Sequence, residues 1–228
     1  MSESGGTALT LYDDPAASPP PGKHFLIPGP SGVLEALLDM PGTPHATGAP
    51  IAVVCHPHPL YGGSLTNKVA HTVARAFASM GAQTLRFNFR GVGESMGSFD
   101  EGRGEVDDLL AAEAWLRVRR PGAPLWLAGF SFGAFVALSG HVRAGAQSLL
   151  LVAPPVAMFD FPAESGVSIP WLVIQGSDDE VVDPAQVSAW ARQQVNPPEF
   201  ICLDGAGHFF HRRLIDLRDQ IQAHWPPQ

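Results

Sequence analysis

The chain has 228 residues, of which 45% are hydrophobic and 16% charged, and its formal net charge is −8. This length and composition are typical of one globular domain. The chain shows no basic stripe, no secretory signal and no long apolar run, so we expect no nucleic acid partner, no membrane span and a cytoplasmic location. Cys55 and Cys202 lie in apolar runs and are expected to be core thiols rather than a disulfide.

The first 22 residues are rich in Ser, Gly and Pro and are predicted to form a flexible or loosely docked arm. Residues 23–228 should form the folded domain. Its predicted strands lie at 24–27, 33–39, 51–55, 84–87, 125–128, 148–152, 171–175 and 200–203, and its predicted helices at 65–80, 105–119, 132–141, 184–194 and 209–224. This alternation predicts an α/β fold with a mainly parallel sheet, helices on both faces and an antiparallel N-terminal hairpin. Ligands of such sheets bind beyond the carboxyl ends of the strands.

Two segments match the pattern G-x-S-x-G, one centred on Ser131 and the other on Ser95. A nucleophile elbow needs a strand that turns sharply into a helix, with glycines that allow close passage of the backbone. Ser131 has this context, because a predicted strand precedes it and a predicted helix follows it. Ser95 lies in a Gly-rich stretch without either element, and we interpret it as a flexible loop serine.

A serine nucleophile needs a histidine base and a carboxylate, which in this strand order follow the serine as acid and then histidine. The loop after the strand at 171–175 holds several carboxylates, and its spacing favours Asp179 over Asp178, while Asp183 resembles a helix N-cap. His208 follows a Gly-rich turn after the last strand and is the predicted base. Its competitor, His211, should lie one turn into the final helix.

The developing oxyanion should be bound by two backbone N–H groups. One is expected from Phe132, at the start of the helix after the nucleophile. The other should come from the loop after the third strand, where Pro57 and Pro59 have no N–H, so His58 is favoured over Leu60. We interpret His56 as a buried structural histidine, and we expect no metal, although His56, His58 and His208 offer a rival metal-binding set.

These motifs resemble the α/β-hydrolase superfamily, and more narrowly a bacterial group related to dienelactone hydrolases and acyl-peptidases. The resemblance rests on the residues 56–63 with 67–68, and on 85–95, 129–133, 176–182 and 207–208. It implies Ser131, Asp179 and His208 as a catalytic triad and makes 88–95 a structural turn near the site. Dienelactone hydrolases use a cysteine nucleophile, so their lactone substrates do not transfer to a chain with Ser131.

Only about 18 residues separate the strands at 148–152 and 171–175, which predicts a minimal lid and a shallow pocket. The expected activity is hydrolysis of esters or thioesters with small to medium apolar acyl groups, without a cofactor, by a monomer or homodimer. A peptidase or amidase is the first alternative, and a non-catalytic binding protein on the same fold the second. The side chains expected to bind substrate are Leu60, Tyr61, Phe130, Met158, Phe159 and Phe161.

Overall fold

The computed structural model describes residues 8–42, 48–162 and 165–227, which form eight strands and five α-helices. The strands are β1 His24–Gly29, β2 Gly32–Asp39, β3 Ile51–Cys55, β4 Gln83–Phe87, β5 Leu125–Phe130, β6 Ser148–Val152, β7 Trp171–Gly176 and β8 Glu199–Leu203. The helices are α1 Lys68–Ser79, α2 Arg103–Arg119, α3 Phe132–Gly140, α4 Pro184–Gln193 and α5 Leu214–His224. A short 3₁₀ turn spans Pro59–Tyr61.

The strands form one sheet in the order β1-β2-β4-β3-β5-β6-β7-β8. The hairpin of β1 and β2 is antiparallel, β2 joins β4 antiparallel, and all other neighbours are parallel. Strands β3, β5, β6 and β7 are buried along their whole length, as expected where helices cover both faces. The predicted α/β-hydrolase architecture is confirmed.

Two apolar clusters hold the helices against the sheet. The cluster on one face contains residues of α2, α3 and α4, and the cluster on the other contains residues of α1 and α5. Strand β5 contributes to both clusters and lies at the centre of the sheet. Ser131, which follows β5 directly, is therefore attached to a strand that is packed on both faces of the sheet.

Two predictions about local structure are wrong. The last helix begins at Leu214 rather than at residue 209, because Phe210 and Arg212 have φ values of 52° and 63° that helical backbone does not allow. His211 thus lies in a turn before the helix. Cys202 is exposed rather than a core thiol, because β8 is an edge strand with few neighbours, whereas Cys55 in β3 is buried as predicted.

The connection from β6 to β7, residues 153–170, contains no helix in its described part and consists of irregular backbone with one run of turns at 156–160. Phe159 and Phe161 pack this connection against the helices. Phe159 stacks on Phe135 of α3 with ring centroids 5.1 Å apart, and Phe161 packs edge-on against Trp190 of α4 at 5.5 Å. The connection is therefore a short, anchored segment with little material to cover the carboxyl ends of the strands.

Part of the segment expected to be an arm contacts the sheet. The N–H of Leu26 donates to Thr10, and the N–H of Tyr12 donates to Leu26, each at 2.8 Å. The indole of Trp115 in α2 donates to the carbonyl of Tyr12 at 2.6 Å. Residues 10–12 thus lie along the outer edge of β1. Across the described ranges, no helix combines the length and apolar character that crossing a membrane requires.

Candidate active site

The turn between β5 and α3 places Ser131 at the carboxyl end of the central strand. Ser131 has φ 54° and ψ −121°, a conformation that costs energy for any residue other than glycine. The flanking glycines make this turn possible, because a Cβ at Gly129 would lie 2.0 Å from the carbonyl oxygen of Gly133, and one at Gly133 would lie 2.4 Å from that of Cys55. The strained turn raises the serine hydroxyl above the edge of the sheet.

Ser131, His208 and Asp179 form a continuous hydrogen-bonded chain. His208 Nε2 lies 3.1 Å from Ser131 Oγ, and His208 Nδ1 lies 2.9 Å from Asp179 Oδ2. An ionised carboxylate only accepts hydrogen bonds, so the proton of the neutral imidazole is on Nδ1. Nε2 is then free to accept the proton of the serine hydroxyl. Both partners of the imidazole–carboxylate pair are buried.

The carboxylate of Asp179 is fixed by four hydrogen bonds. Oδ1 accepts from the N–H groups of Val181 at 2.9 Å and Val182 at 2.7 Å, and Oδ2 accepts from Gln175 Nε2 at 2.8 Å and from His208. Burial alone would raise the pKa of Asp179, but the hydrogen bonds from His208, Val182 and Val181 outweigh it and keep this pKa below its ordinary value. The carboxylate is therefore ionised when the imidazole needs a partner.

Two residues that the sequence analysis missed support this pair. Gln175, at the end of β7, donates to Asp179, and Glu180 Oε2 accepts from the backbone N–H of His208 at 3.1 Å. The ring of Phe130 packs beneath the imidazole of His208 with centroids 5.1 Å apart. The neighbouring carboxylates have other roles: Asp178 is exposed, and Asp183 caps α4 by accepting from Ala185.

The loop that follows β3 holds His58 and Leu60, the two residues considered from sequence for the second oxyanion donor. The N–H of Leu60 donates to His58 Nδ1 at 3.2 Å, and the N–H groups of Tyr61 and Gly63 donate to the carbonyl of His58. Of the two donors considered from sequence, Leu60 is thus engaged, whereas the N–H of His58 has no acceptor among the described residues. The ring centroids of His58 and Phe132 are 5.0 Å apart, so the loop after β3 contacts the start of α3.

His56 and Ser95 have structural roles. His56 Nε2 accepts from the N–H of Phe89 at 3.0 Å, so Nδ1 carries the proton and donates to the carbonyl of Pro57. Burial lowers the pKa of His56 to about 4, and with both ring nitrogens engaged it is no metal ligand. Ser95 is buried rather than flexible: its hydroxyl donates to the carbonyl of Asn88 and accepts from the N–H of Glu35.

A cleft of about 480 Å³ opens at Ser131 and His208. It extends across β5 from the loop after β3 to the segments after β6 and β7, which places the nucleophile between two arms. One arm is lined by residues of the loop after β3, and the other by Met158, Val181 and Phe209. Besides Ser131 and His208, the whole cleft is lined by Pro57, His58, Tyr61, Gly62, Gly63, Asn67, Met158, Val181 and Phe209.

The predicted substrate-binding set is only partly found in this cleft. Tyr61 and Met158 line it. Phe130 is fully buried under His208, and Phe159 and Phe161 pack against α3 and α4, so these three rings form core rather than cleft lining. Leu60 is 68% exposed outside the cleft.

Val181, Phe209 and Asn67 line the cleft without having been assigned to it from sequence. Their positions in the sequence could have indicated this, because Val181 and Phe209 lie within two residues of Asp179 and His208, and Asn67 lies in the loop after β3.

Comparisons with known proteins identify the family of the chain. Residues 50–163 match the family model described as serine aminopeptidase, S33. The chain is 38% identical over 203 residues to the uncharacterised protein RP471 of Rickettsia prowazekii, covering 85% of this chain and 84% of the relative.

Two solved structures are also similar. XC6422 from Xanthomonas campestris, an α/β serine hydrolase without a lid, superposes with a TM-score of 0.85 at 44% identity and covers 92% of this chain and 98% of its own. An α/β serine hydrolase homologue from Coxiella burnetii gives a TM-score of 0.86 at 41% identity, covering 92% and 100%. The narrower relation to dienelactone hydrolases and acyl-peptidases stays a prediction. The chain therefore belongs to the α/β-hydrolase superfamily, as a serine hydrolase of the family described as serine aminopeptidase, S33.

Proposed function

We propose that this serine hydrolase cleaves carboxylic esters or thioesters of small to medium apolar acyl groups. The observation that carries the proposal is the character of the cleft beside Ser131. Among the described residues that line it, none has a carboxylate or a cationic group apart from the imidazoles of His58 and His208. Burial lowers the pKa of His58, which favours its neutral form. Such a lining suits a neutral, apolar acyl group better than a charged one.

The first half of the reaction transfers the acyl group to Ser131. The hydroxyl oxygen attacks the carbonyl carbon while His208 Nε2 takes the hydroxyl proton, and the 3.1 Å separation supports this transfer. The carbonyl oxygen becomes an oxyanion that the N–H groups of Phe132 and His58 stabilise. When the bond to the leaving oxygen or sulfur breaks, the imidazolium returns its proton to that atom, and Asp179 stabilises the imidazolium in between.

The second half releases the acid. A water molecule attacks the acyl carbon, His208 takes a proton from it, and the same two N–H groups bind the second oxyanion. The bond to Ser131 then breaks, and the serine oxygen recovers its proton from His208. The absence of a helical cover in the described part of 153–170 gives water direct access to this step.

A panel of p-nitrophenyl esters of graded acyl length tests the proposal. We expect kcat/KM to rise from acetate through short chains and then to level or fall at medium length, because a cleft this open stops burying further methylenes. Ser131→Ala should lower kcat by about 10³-fold or more. Steady improvement out to long-chain esters would contradict the proposed size limit.

The family description gives a specific reason to test peptidase activity as the second candidate. An aminopeptidase binds a free α-ammonium group, for which a carboxylate near the scissile bond is the natural partner. The described residues that line the cleft include no carboxylate. Asp179 is the nearest catalytic carboxylate, and its oxygens already accept four hydrogen bonds. Amino-acid p-nitroanilides hydrolysed faster than p-nitrophenyl esters would favour the peptidase.

The third candidate, a non-catalytic protein on this fold, predicts that a fluorophosphonate probe leaves Ser131 unlabelled. An activated serine should instead be labelled, and Ser131→Ala should abolish the labelling.

A further inference from the structure

A second, smaller cavity of about 130 Å³ adjoins the catalytic cleft, and we call it the side cavity. It lies between the segment after β6, at Pro155 and Ala157, and the start of α4, near Val182. Two side chains, Met158 and Val181, line both the side cavity and the cleft. These two side chains are therefore the wall between them.

The two halves of this wall differ in their freedom to move. Val181 is β-branched, and its N–H is fixed on Asp179 Oδ1 at 2.9 Å. Met158 is unbranched, and 57% of it is exposed. A methionine side chain has three rotatable bonds and adapts to irregular spaces at little cost. Displacement of Met158 alone would join the side cavity to the cleft.

The backbone under Met158 is held in place. The N–H of Met158 donates to the carbonyl of Pro155 at 3.0 Å, and the next residue, Phe159, stacks on Phe135. Movement of the Met158 side chain therefore does not require the connection from β6 to β7 to unfold. This combination of an anchored backbone and a free side chain makes Met158 suited to act as a movable wall.

The side cavity lies on the β6–β7 side of Ser131, away from the loop that supplies the His58 N–H. The alcohol must depart before water attacks, which is easiest from an open arm. The acyl group stays on Ser131 through both half-reactions, so it gains most from an additional apolar contact. We propose, on the basis of the esterase function above, that the side cavity is a subsite for the distal part of the acyl chain and that Met158 controls entry to it.

The lining also specifies which chains fit. The part nearest the wall is apolar, while Asp183 lies at the α4 end of the side cavity. Asp183 Oδ1 accepts from Ala185, and Oδ2 accepts from Gln186 Nε2. A chain that ends in a carboxylate would approach this acidic group and be disfavoured. The substrate class is therefore an acyl chain of medium length without a terminal carboxylate.

The test compares Met158→Ala with the wild type on p-nitrophenyl esters from acetate to dodecanoate. Each methylene that becomes buried should raise kcat/KM about fourfold. We expect Met158→Ala to extend the rising part of the profile by two or three methylenes, which gives a gain of about tenfold or more for octanoate relative to acetate. Met96→Ala is the matched control, because Met96 is 55% exposed and packs near Gly32, away from both cavities.

A second variant identifies the space that the chain enters. Ala157 lines the side cavity but not the cleft, so Ala157→Phe should reduce the space without touching the catalytic groups. Added to Met158→Ala, it should cancel the gain for octanoate relative to acetate. A double variant that keeps the gain, or a Met158→Ala profile parallel to the wild type, would overturn the subsite.

Fluorophosphonates that carry ethyl or hexyl chains separate this inference from the proposed function, because they react with Ser131 whether the natural substrate is an ester or an amide. The hexyl-to-ethyl ratio of labelling rates should rise in Met158→Ala and fall back when Ala157→Phe is added. If the esters are not hydrolysed but this pattern holds, the esterase proposal fails and the subsite stands. If the esters are hydrolysed but Met158→Ala changes neither the octanoate-to-acetate ratio of kcat/KM nor the hexyl-to-ethyl ratio of labelling rates, the subsite fails alone.

Discussion

Replacement of Asp179 by asparagine tests the catalytic assignment most directly, because the hydrogen bonds around this residue allow only one orientation of the new carboxamide. The carboxamide oxygen can take the place of Oδ1 and keep the N–H groups of Val181 and Val182. The amide NH₂ then faces Gln175 and His208, which both donate to the wild-type carboxylate. The opposite orientation would set the NH₂ against two fixed backbone donors and leave them unpaired, which costs about 1–3 kcal/mol for each.

Gln175 and His208 can both adjust to the orientation in which the asparagine NH₂ faces them. Gln175 Oε1 is buried and has no hydrogen-bond partner among the described residues, so a flip of this carboxamide supplies an acceptor. His208 can accept at Nδ1 if its proton moves to Nε2. The fold therefore survives, but Nε2 now carries the proton and can no longer accept one from Ser131.

We expect Asp179→Asn to lower kcat for p-nitrophenyl butyrate about 10⁴-fold, as the wrong tautomer does in serine proteases. This corresponds to about 5 kcal/mol of lost transition-state stabilisation. The melting temperature should fall by only a few degrees. Asp178→Asn is the control, because Asp178 is exposed and interacts with the Ser177 hydroxyl rather than with the triad, and its kcat should change less than twofold. A loss below tenfold in Asp179→Asn, or a larger loss in Asp178→Asn, would refute the reasoning.

Three further predictions concern the supports of the site. Ser95→Ala should leave kcat unchanged but lower the free energy of unfolding in urea by about 1–3 kcal/mol, because two buried backbone groups lose their partner; a loss of kcat comparable to that of Ser131→Ala would reassign the nucleophile. Gly133→Ala should abolish soluble folded protein or activity, since its Cβ would lie 2.4 Å from the Cys55 carbonyl oxygen, and wild-type melting behaviour would contradict the elbow geometry. The pKa of His56 is lowered from 6.5 to about 4, so the unfolded chain takes up the proton first, and stability should fall by about 3 kcal/mol as the pH drops through this window; urea unfolding of His56→Gln should lack this part of the pH dependence.

The architecture and the three catalytic candidates could be predicted because they depend on local patterns. The continuous apolar run of β3 and the strand–glycine–serine–glycine–helix order around Ser131 each constrain the backbone without knowledge of distant residues. The order of strand, turn and helix also separates Ser131 from Ser95, which the motif alone does not.

The lining of the cleft could not be predicted, because it depends on directions that the pattern does not encode. Phe130 and Ser131 are neighbours in sequence, but the strained φ at Ser131 turns the hydroxyl to the cleft while the Phe130 ring enters the core below His208. Glu180 supports the triad through a contact between the loop after β7 and the loop after β8, which only the assembled sheet brings together. Gln175 lies only four residues before Asp179, but the pattern does not show that its side chain turns towards that carboxylate. The exposure of Cys202 likewise depends on β8 being the last strand of the sheet.

The contact of residues 10–12 with β1 has a consequence for how the sheet ends. An uncovered edge strand offers unpaired N–H and C=O groups to any other extended chain, and such edges promote aggregation. Here the N–H of Leu26 donates to the Thr10 carbonyl and the Leu26 carbonyl accepts from the Tyr12 N–H, while Trp115 donates to the Tyr12 carbonyl. A truncation that removes residues 10–12 would therefore free the N–H and carbonyl of Leu26 at this edge, and we expect increased self-association rather than lost catalysis as its first visible effect.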